Sequence, residues 1–300
     1  MKLVEHIDDL RHLLDDARAE GRTVGFVPTM GFFHQGHRSL MRAARAHHDL
    51  VVVSLFVNPL QFGPGEDLDA YPRDRDGDAA VCEAEGVDFL FAPSAEEMYP
   101  AGRPVTSVAV AGLSEGMCGR DRPVHFGGVA TVVTKLFSIV GPCTAYFGKK
   151  DFQQLTIVRR LVDDLSLPVR VVGCSLLREP DGVAMSSRNA YLEPDDRQAA
   201  AVLFRALQVG VAEIEMGERD PATVRRVVAN TITAEPRVRL EYAEVVSADD
   251  LERLERIEGR VLIAVAARAG KARLIDNVTL VLEGDSVTAD LGVISGAEME

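Results

Sequence analysis

The sequence predicts an α/β protein with a parallel sheet in its N-terminal part and a smaller α+β domain after it. Up to about residue 176, apolar β-branched runs alternate with helical patterns, which is typical of a parallel sheet covered on both faces. Beyond about residue 176, two long helical patterns precede three extended runs, which is typical of an α+β domain. We therefore expect two domains, residues 1–176 and 177–300.

Turn residues and helix breakers bound the elements of the first domain. An amphipathic helix is predicted from residue 3 to residue 20, where Gly21 ends it. Asn58-Pro59 ends the third apolar run, and Gly86 ends a later helix. The remaining predicted elements are strands at 23–27, 50–57, 87–91, 144–147 and 169–172, and helices at 38–46, 74–85, 128–140 and 152–165.

The second domain begins with two predicted surface helices at 194–217 and 221–235, each starting at a proline. Extended runs follow at 237–246, 260–267 and 272–282. The tail after about residue 284 is weakly patterned, so we expect it to fray or to be disordered.

Composition and charge narrow the class of protein. The net formal charge of −13, with 47% apolar and 26% charged residues, is typical of a globular protein with no nucleic-acid or membrane partner. Four widely spaced cysteines without a C-x-x-C pair fit free thiols in a reducing compartment. The N-terminus carries no signal-peptide core, and no apolar run reaches the ~18 residues of a membrane span. We therefore expect a cytoplasmic protein.

The most informative stretch is Pro28–His37, where a predicted strand passes into a predicted helix. His34 and His37 lie three residues apart, with Gly36 between them. A helix N-terminus has unpaired N–H groups and a partial positive charge, so it favours phosphate, and histidines there can donate hydrogen bonds to phosphate oxygens. The same spacing also fits a metal site or an incidental helix start, although no Cys, Asp or Glu lies within the turn as a third ligand.

Polar residues also follow the other predicted strands, at the edge where open parallel sheets bind ligands. Asn58 and Gln61 follow one strand, and Gly148-Lys149-Lys150-Asp151 follows another. Lys150 can neutralise charge that develops on a phosphoryl group, and Asp151 can accept from ribose hydroxyls. Taken alone, the lysine pair also fits a solvated loop, but only five lysines occur in the chain.

A further polar cluster lies near the domain boundary. Met185-Ser186-Ser187-Arg188 offers two hydroxyls and a guanidinium, which suit a triphosphate or a pyrophosphate. A helix cap beside a surface arginine would give the same pattern. Gln61 and Gln154 could hold a small polar substrate without adding charge, although glutamine is most often an ordinary surface residue.

Together these residues resemble the pantothenate synthetases, the pantoate–β-alanine ligases of the HIGH-motif nucleotidyltransferase superfamily. The resemblance runs in order through nearly the whole chain and weakens after about residue 195. Its motifs are P-T-M-G-x-x-H-x-G-H at 28–37, S-L-F-V-N-P-L-Q-F at 54–62, D-x-Y-P-R at 69–73, H-F-G-G-V-A-T-V-V-T-K-L-F at 125–137, F-G-x-K-D-F-Q-Q at 147–154 and R-E-x-D-G-x-A-M-S-S-R-N at 178–189.

The resemblance implies a Rossmann-like N-terminal domain, a smaller C-terminal lid domain and a homodimer. It also implies a reaction that uses ATP and Mg²⁺, with the metal bound through the ATP phosphates and not by protein ligands. Pantoate and β-alanine would be the small-molecule substrates of a pathway to pantothenate and coenzyme A. The pantoate carboxylate would attack the α-phosphate of ATP, and the amine of β-alanine would then displace AMP from pantoyl adenylate.

The resemblance further implies residue roles. The residues usually assigned to catalysis correspond to His34, His37, Lys150 and Arg188, with His37 as proton donor and Lys150 at the α-phosphate. Leu177 would contact adenine, chiefly through its main chain. The ATP-binding set would be Met30, Gly31, Phe32, Phe33, His34, Gln35, Gly36, His37, Gly148, Lys149, Lys150, Asp151, Leu177, Met185, Ser186, Ser187 and Arg188. The set around pantoate and β-alanine would be Gln61 and Gln154, with Asn58, Tyr71 and His125 as neighbours.

The chain departs from the family pattern near the nucleotide motifs. Phe32 and Phe33 replace a small and an aliphatic residue. Gln35 stands where glutamate is common, and Lys149 stands where glutamate or glutamine is common. Leu177 stands where valine is common. None of these positions is a matched catalytic residue, so the departures bear on affinity and on substrate breadth.

Two competing hypotheses remain on the sequence alone. One is a cytidylyl- or adenylyltransferase that makes a lasting nucleotide-linked product. Paired glutamines and the lack of a basic acceptor site argue against it. The other is a non-catalytic nucleotide-binding module, which would be expected to have lost His37, Lys150 or Arg188, yet all three are present.

Overall fold

The computed structural model describes residues 1–284 and 286–295. They fall into two compact units, the first comprising residues 1–148 and 153–174, and the second comprising residues 149–152 and those from 175 onwards. The second unit resumes at Ser175. The short segment 149–152 groups with the second unit, although it directly follows a strand of the first.

The first unit contains a six-stranded, fully parallel sheet. The strand order across the sheet is β1-β4-β3-β2-β5-β6, so the direction of strand addition reverses between β2 and β5. Ligands of open α/β sheets bind beyond the carboxyl ends of the strands at such a reversal. The strands are β1 (Lys2–Val4), β2 (Val24–Thr29), β3 (Leu50–Leu55), β4 (Phe89–Phe91), β5 (Cys143–Gly148) and β6 (Val169–Cys174).

Helices cover both faces of this sheet. Along β2, successive side chains point to opposite faces: Val27 packs in one apolar cluster with Leu40, Met41 and Ala44, while the Phe26 ring lies 6.4 Å from that of Phe137. The helices are α1 (Ile7–Ala19), α2 (Gln35–His47), α3 (Arg75–Ala84), α4 (Ala95–Met98), α5 (Cys118–Asp121), α6 (His125–Val140) and α7 (Phe152–Asp164), and 3₁₀ turns form at Pro59–Gln61 and Lys149–Asp151.

The N-terminus differs from the prediction. Residues 2–4 form β1 and not the start of a helix, and α1 begins only at Ile7. The reason is strand pairing, because Lys2 N donates to Asp88 O and Ala92 N donates to Val4 O. β1 therefore pairs with the outer edge of the three-residue β4. A three-residue strand inside a helical pattern carries no periodicity of its own.

The second unit packs helices against an antiparallel sheet of order β11-β10-β9-β8, and a separate two-stranded parallel pair joins β7 to β12. Its apolar core includes Leu207, Val228 and Ile263, all fully buried. The elements are β7 (Leu177–Arg178), a 3₁₀ turn (Ser187–Tyr191), α8 (Pro194–Ala200), α9 (Val202–Glu215), α10 (Pro221–Thr233), β8 (Val238–Ser247), β9 (Gly259–Ala269), β10 (Ala272–Glu283), β11 (Ser286–Asp290) and β12 (Val293–Ile294).

Two expectations for this unit need correction. The single helix predicted over 194–217 is two helices that meet at Ala201. Residues 286–295 do not fray, because β11 pairs with β10 and β12 pairs with β7. Residues 296–300, also part of the expected disordered tail, lie outside the described residues.

One glycine of α6 lets the helix approach the 3₁₀ turn Pro59–Gln61. A Cβ on Gly128 would lie 2.4 Å from the Leu60 carbonyl oxygen and 2.5 Å from the Gln61 nitrogen. The next-door Gly127 has no atom within 4 Å of its would-be Cβ. Backbone atoms cannot rotate away as a side chain can, so Gly128 fixes how closely Gln61 sits to α6.

We expect Gly128→Ala to lower the free energy of unfolding by about 1–3 kcal/mol, the usual cost of overpacking. Gly127→Ala is the matched control, because alanine in a helix gains roughly 0.5–1 kcal/mol over glycine. Urea unfolding of both variants measures the difference. Equal stability of the two variants would contradict the close approach.

Candidate active site

His34 and His37 close the N-terminus of α2 by a reciprocal pair of hydrogen bonds. His34 is the N-cap residue, and its Nδ1 accepts from the Gly36 N–H at 3.1 Å. The Nδ1 of His37 accepts from the His34 N–H at 3.3 Å. Both imidazoles therefore satisfy donors that the first turn of a helix otherwise leaves unpaired.

This capping arrangement favours one tautomer of both rings. An Nδ1 that accepts a hydrogen bond carries no proton, so each neutral imidazole must be protonated on Nε2. The ring centroids are 4.2 Å apart, a separation at which two imidazolium charges would repel each other. The pair is thus arranged as two neutral rings, each with an Nε2–H donor, at the positive end of a helix dipole.

Asp78, on α3, holds the turn between β2 and α2, and no local sequence pattern predicts this role. Its carboxylate accepts from the Phe32 N–H and the Phe33 N–H, both at 2.7 Å. Gly31 and Phe32 have positive φ values of 89° and 55°, and a Cβ on Gly31 would lie 2.7 Å from Asp78 Oδ2. Burial raises the pKa of this carboxyl above its ordinary value, although the two N–H donors pull it down.

Gln61 lies in a buried polar cluster at the carboxyl end of β3. Its Nε2 donates to the Met30 sulfur at 3.0 Å, and its Oε1 accepts from Asn58 Nδ2 at 3.1 Å. Asn58 also donates to Gly128 O and accepts from the Tyr99 hydroxyl at 2.9 Å. The structure therefore brings together Met30, Asn58 and Gln61, and it fixes the amide orientation of Gln61.

The main chain of Gln61 is held as firmly as its side chain. The His125 Nδ1 and the Gln61 carbonyl oxygen are 3.0 Å apart, so His125 donates through Nδ1. Arg122 Nη2 approaches the same oxygen at 3.5 Å and is paired with Glu66 at 2.5 Å. Burial raises the pKa of Glu66, but the Arg122 guanidinium more than offsets this, and the net pKa lies below its ordinary value.

Two further predicted residues of the first unit are Tyr71 and Gln154, and Gln154 follows the buried Gln153 on α7. The buried Tyr71 ring stacks edge-on against Phe62, with centroids 6.0 Å apart. Gln153 is buried and donates to Leu113 O and Gly116 O, so it serves the fold. Gln154, the residue predicted to hold substrate, is half-buried on the same helix.

In the second unit, Lys150, Ser186 and Asp276 line one small cavity. The Lys150 ammonium lies 3.6 Å from the carboxylate of its neighbour Asp151. Ser186 caps the 3₁₀ turn that follows it, since its Oγ accepts from the Arg188 N–H at 3.3 Å. The structure thus places the predicted phosphate-binding lysine and serine on one surface, and the helix-cap interpretation of Ser186 also holds.

The remaining predicted nucleotide positions of this unit lie around β7. Leu177 O accepts from the Met185 N–H at 2.9 Å, which holds β7 beside the serine segment. Ser187 is buried and Arg188 half-buried in the turn. The Lys149 ammonium forms an ion pair with Asp290 at 2.7 Å.

A buried ion pair that the sequence did not reveal organises these segments. Arg178 and Asp276 are both almost fully buried and form a bidentate pair at 2.7 and 3.0 Å, and the Arg178 guanidinium stacks on Phe204 at 3.8 Å. The next residue, Asn277, donates from its side chain to Lys149 O and Lys150 O at 3.0 and 2.9 Å. Asp276-Asn277 therefore fixes both predicted nucleotide segments of this unit.

We expect Asp78→Ala to lower the free energy of unfolding by about 2–4 kcal/mol, because it leaves two part-buried N–H groups without their acceptor. Asp76→Ala is the matched control, since Asp76 is exposed on the same helix and should cost less than about 1 kcal/mol. Chemical denaturation of both variants is the measurement. A loss in Asp78→Ala no larger than in the control would show that the turn does not depend on this carboxylate.

Sequence comparison shows clear relatives. The chain matches the family described as pantoate-beta-alanine ligase over residues 2–279. It is 55% identical over 280 residues to the pantothenate synthetase of Heliobacterium modesticaldum, covering 93% of this chain and 99% of that protein. It is 51% identical to the pantothenate synthetase of Moorella thermoacetica with the same coverage.

Solved structures agree with this result and confirm the expected fold class. The pantothenate synthetase of Thermus thermophilus superimposes with a TM-score of 0.87 at 47% identity, over 92% of this chain and 98% of that chain. The pantoate-beta-alanine ligase of Francisella tularensis, complexed with beta-gamma ATP and beta-alanine, gives a TM-score of 0.77 at 31% identity, over 92% and 97%. The chain therefore belongs to the pantoate–β-alanine ligase family and is a ligase that forms a carbon–nitrogen bond.

Proposed function

We propose that this ligase joins pantoate to β-alanine in two steps, with ATP activating pantoate as pantoyl adenylate. The observation that supports this most directly is the family match over residues 2–279, combined with two neutral histidines that cap the N-terminus of α2. The relative from Francisella tularensis was solved with beta-gamma ATP and beta-alanine, the two small molecules that such a reaction would need besides pantoate.

In the first step, a carboxylate oxygen of pantoate attacks the α-phosphorus of ATP, and the bond to the bridging oxygen breaks to release pyrophosphate. Two anions must approach each other, which costs Coulomb energy unless nearby donors offset it. Lys150 would compensate the charge on the α-phosphate. His34 and His37 would donate hydrogen bonds from Nε2 to phosphate oxygens. The proton-donor role that the resemblance implies for His37 would require its ring to take up a proton on Nδ1 first, which breaks the capping bond from the His34 N–H.

The other predicted residues would position the reactants. Ser186, Ser187 and Arg188 offer two hydroxyls and a guanidinium for the pyrophosphate part. Leu177 would hold adenine and Asp151 the ribose. The amide of Gln61, already oriented by Met30 and Asn58, would bind pantoate together with Gln154.

In the second step, the free amine of β-alanine attacks the acyl carbon of the adenylate. The bond from that carbon to the phosphate oxygen breaks, AMP leaves, and the amine loses a proton as the amide forms. The neutral amide side chains of Asn58 and Gln61 suit this step, because a carboxylate there would favour the protonated, unreactive amine. Tyr71 and His125 would lie close to the acceptor.

Three accompanying expectations remain predictions. Mg²⁺ would be held by the ATP phosphates and would offset their charge. Within residues 1–284 and 286–295, no three His, Cys, Asp or Glu side chains are placed to bind a metal. A homodimer and a cytoplasmic location rest on the resemblance and on composition; in the described part of the chain, no helix is both long and apolar enough to cross a bilayer.

The first test is the pattern of product formation. AMP release should require ATP, pantoate and β-alanine together, whereas pantoate alone should support exchange of labelled pyrophosphate into ATP. The exchange reports the reversible adenylate step without the second substrate. ADP as product, a lasting nucleotide-linked product, or AMP release without β-alanine would reject the proposal.

The second test concerns Lys150. Lys150→Ala should reduce pantoate-dependent pyrophosphate exchange by about 10²–10³-fold, the usual effect of removing one preorganised charge, while the thermal midpoint changes little. Lys271→Ala removes an exposed lysine from the same unit and should exchange like wild type. A wild-type rate of pyrophosphate exchange in Lys150→Ala would show that Lys150 takes no part in adenylate formation.

A further inference from the structure

The chain carries a segment beyond the part that matches its family. The family match ends at residue 279, and residues 286–295 continue past it into β11 and β12. We call residues 286–295 the C-terminal segment. All of its contacts described below lie within the second unit.

The main chain of this segment donates hydrogen bonds to the residues before and after Leu177. Val293 N donates to Leu176 O at 2.8 Å, and Ser295 N donates to Arg178 O at 2.8 Å. The resulting parallel pairing sets Val293 opposite Leu177. Leu177 is thus held from one side by the C-terminal segment, while its own carbonyl accepts from Met185 N on the other side.

A glycine shows how closely the segment approaches β7. Gly292 has a φ of 79°, and a Cβ there would lie 2.6 Å from Leu176 O. Only glycine fits both the left-handed backbone and this distance. By contrast, Gly284 at the β10–β11 turn has a similar φ of 61° but no atom within 4 Å of its would-be Cβ.

The segment also contacts Arg178 and the lysine turn. Leu291 O accepts from Arg178 Nε at 2.6 Å, adding a partner to the buried ion pair with Asp276. Asp290 pairs with Lys149 at 2.7 Å, and its other oxygen accepts from Gly292 N at 3.0 Å. One short stretch of chain therefore ties the Leu177 strand and the Lys149–Asp151 turn to the same frame.

We propose that the C-terminal segment is a positioning element for the nucleotide, which holds Leu177 and the Lys149–Asp151 turn in the geometry that ATP requires. This inference rests on the proposed function, because those two segments are the ones assigned to adenine, ribose and phosphate. Holding both before ATP arrives removes part of the ordering cost of binding. The segment itself need not touch ATP.

The test compares two glycine substitutions that share the same backbone strain. Gly292→Ala forces the segment away from Leu176 and should raise the KM and the Kd for ATP roughly five- to tenfold, the loss expected for one or two hydrogen bonds. The KM values for pantoate and β-alanine should stay within about twofold. Gly284→Ala carries only the cost of a positive φ and should leave all three KM values unchanged.

A second pair of variants covers the case in which Gly292→Ala fails to fold. Val293→Pro removes the N–H that donates to Leu176 O, whereas Val293→Ala keeps that donor and removes only side-chain atoms. Val293→Pro should raise the KM for ATP by about threefold or more over Val293→Ala. The comparison isolates a single main-chain donor.

The outcomes separate this inference from the proposed function. Equal ATP affinity of Gly292→Ala and Gly284→Ala, measured by calorimetry and by KM, overturns the inference. A fall in kcat and in thermal midpoint with every KM unchanged also overturns it, because the segment would then be purely structural. A wild-type chain that binds ATP but forms no AMP overturns the proposed reaction instead, and the calorimetric comparison still decides the role of the segment.

Discussion

The first turn of α2 needs acceptors for its N–H groups, and the way the chain supplies them determines much of the first unit. Two of those acceptors are imidazole nitrogens, from His34 and His37. Because these nitrogens must be unprotonated to accept, the capping bonds favour rings that are neutral and protonated on Nε2. The need to cap this helix therefore also determines which ring nitrogen of each histidine is available to donate to a ligand. The carboxylate of Asp78 likewise accepts hydrogen bonds from two N–H groups of the preceding turn, which would otherwise lack a partner.

In the second unit, side chains also satisfy the hydrogen-bonding groups of the main chain, but here they act as donors. There the predicted nucleotide segments are short 3₁₀ turns and the two-residue strand β7, and carbonyl oxygens in and beside them need donors. Arg178 donates to Gly182 O and Leu291 O, and Asn277 donates to Lys149 O and Lys150 O. A buried guanidinium is costly unless it is paired, and the bidentate contact with Asp276 supplies the pairing. Removal of either Arg178 or Asp276 would leave the other buried and without its ion-pair partner.

Sequence patterns predicted the parallel sheet, most of its elements and the polar residues at the strand ends, because periodicity and helix breakers are local. The residues that hold those ends were not recognised. Asp78 lies 46 positions after the Phe32 N–H that it binds, and Arg178 lies 98 positions before Asp276. No local pattern distinguishes Asp78 from exposed Asp76 on the same helix. The pairing of β12 was not predicted for the same reason, since its partner β7 is only two residues long and lies more than a hundred positions earlier.

The distribution of charge explains how a chain of net charge −13 can favour an anionic ligand. Many of its arginines are already matched by acids, as Arg178 is by Asp276 and Arg122 by Glu66. Their charge therefore contributes rigidity more than long-range attraction. The groups proposed to bind phosphate are N–H donors at a helix end, two hydroxyls, the Arg188 guanidinium and the Lys149–Asp151 turn. The hydrogen bonds that these groups donate form only over a narrow range of distances, so they depend on accurate placement of the backbone. This dependence is the physical reason for devoting Asp78, Asn277 and the C-terminal segment to holding backbone in place.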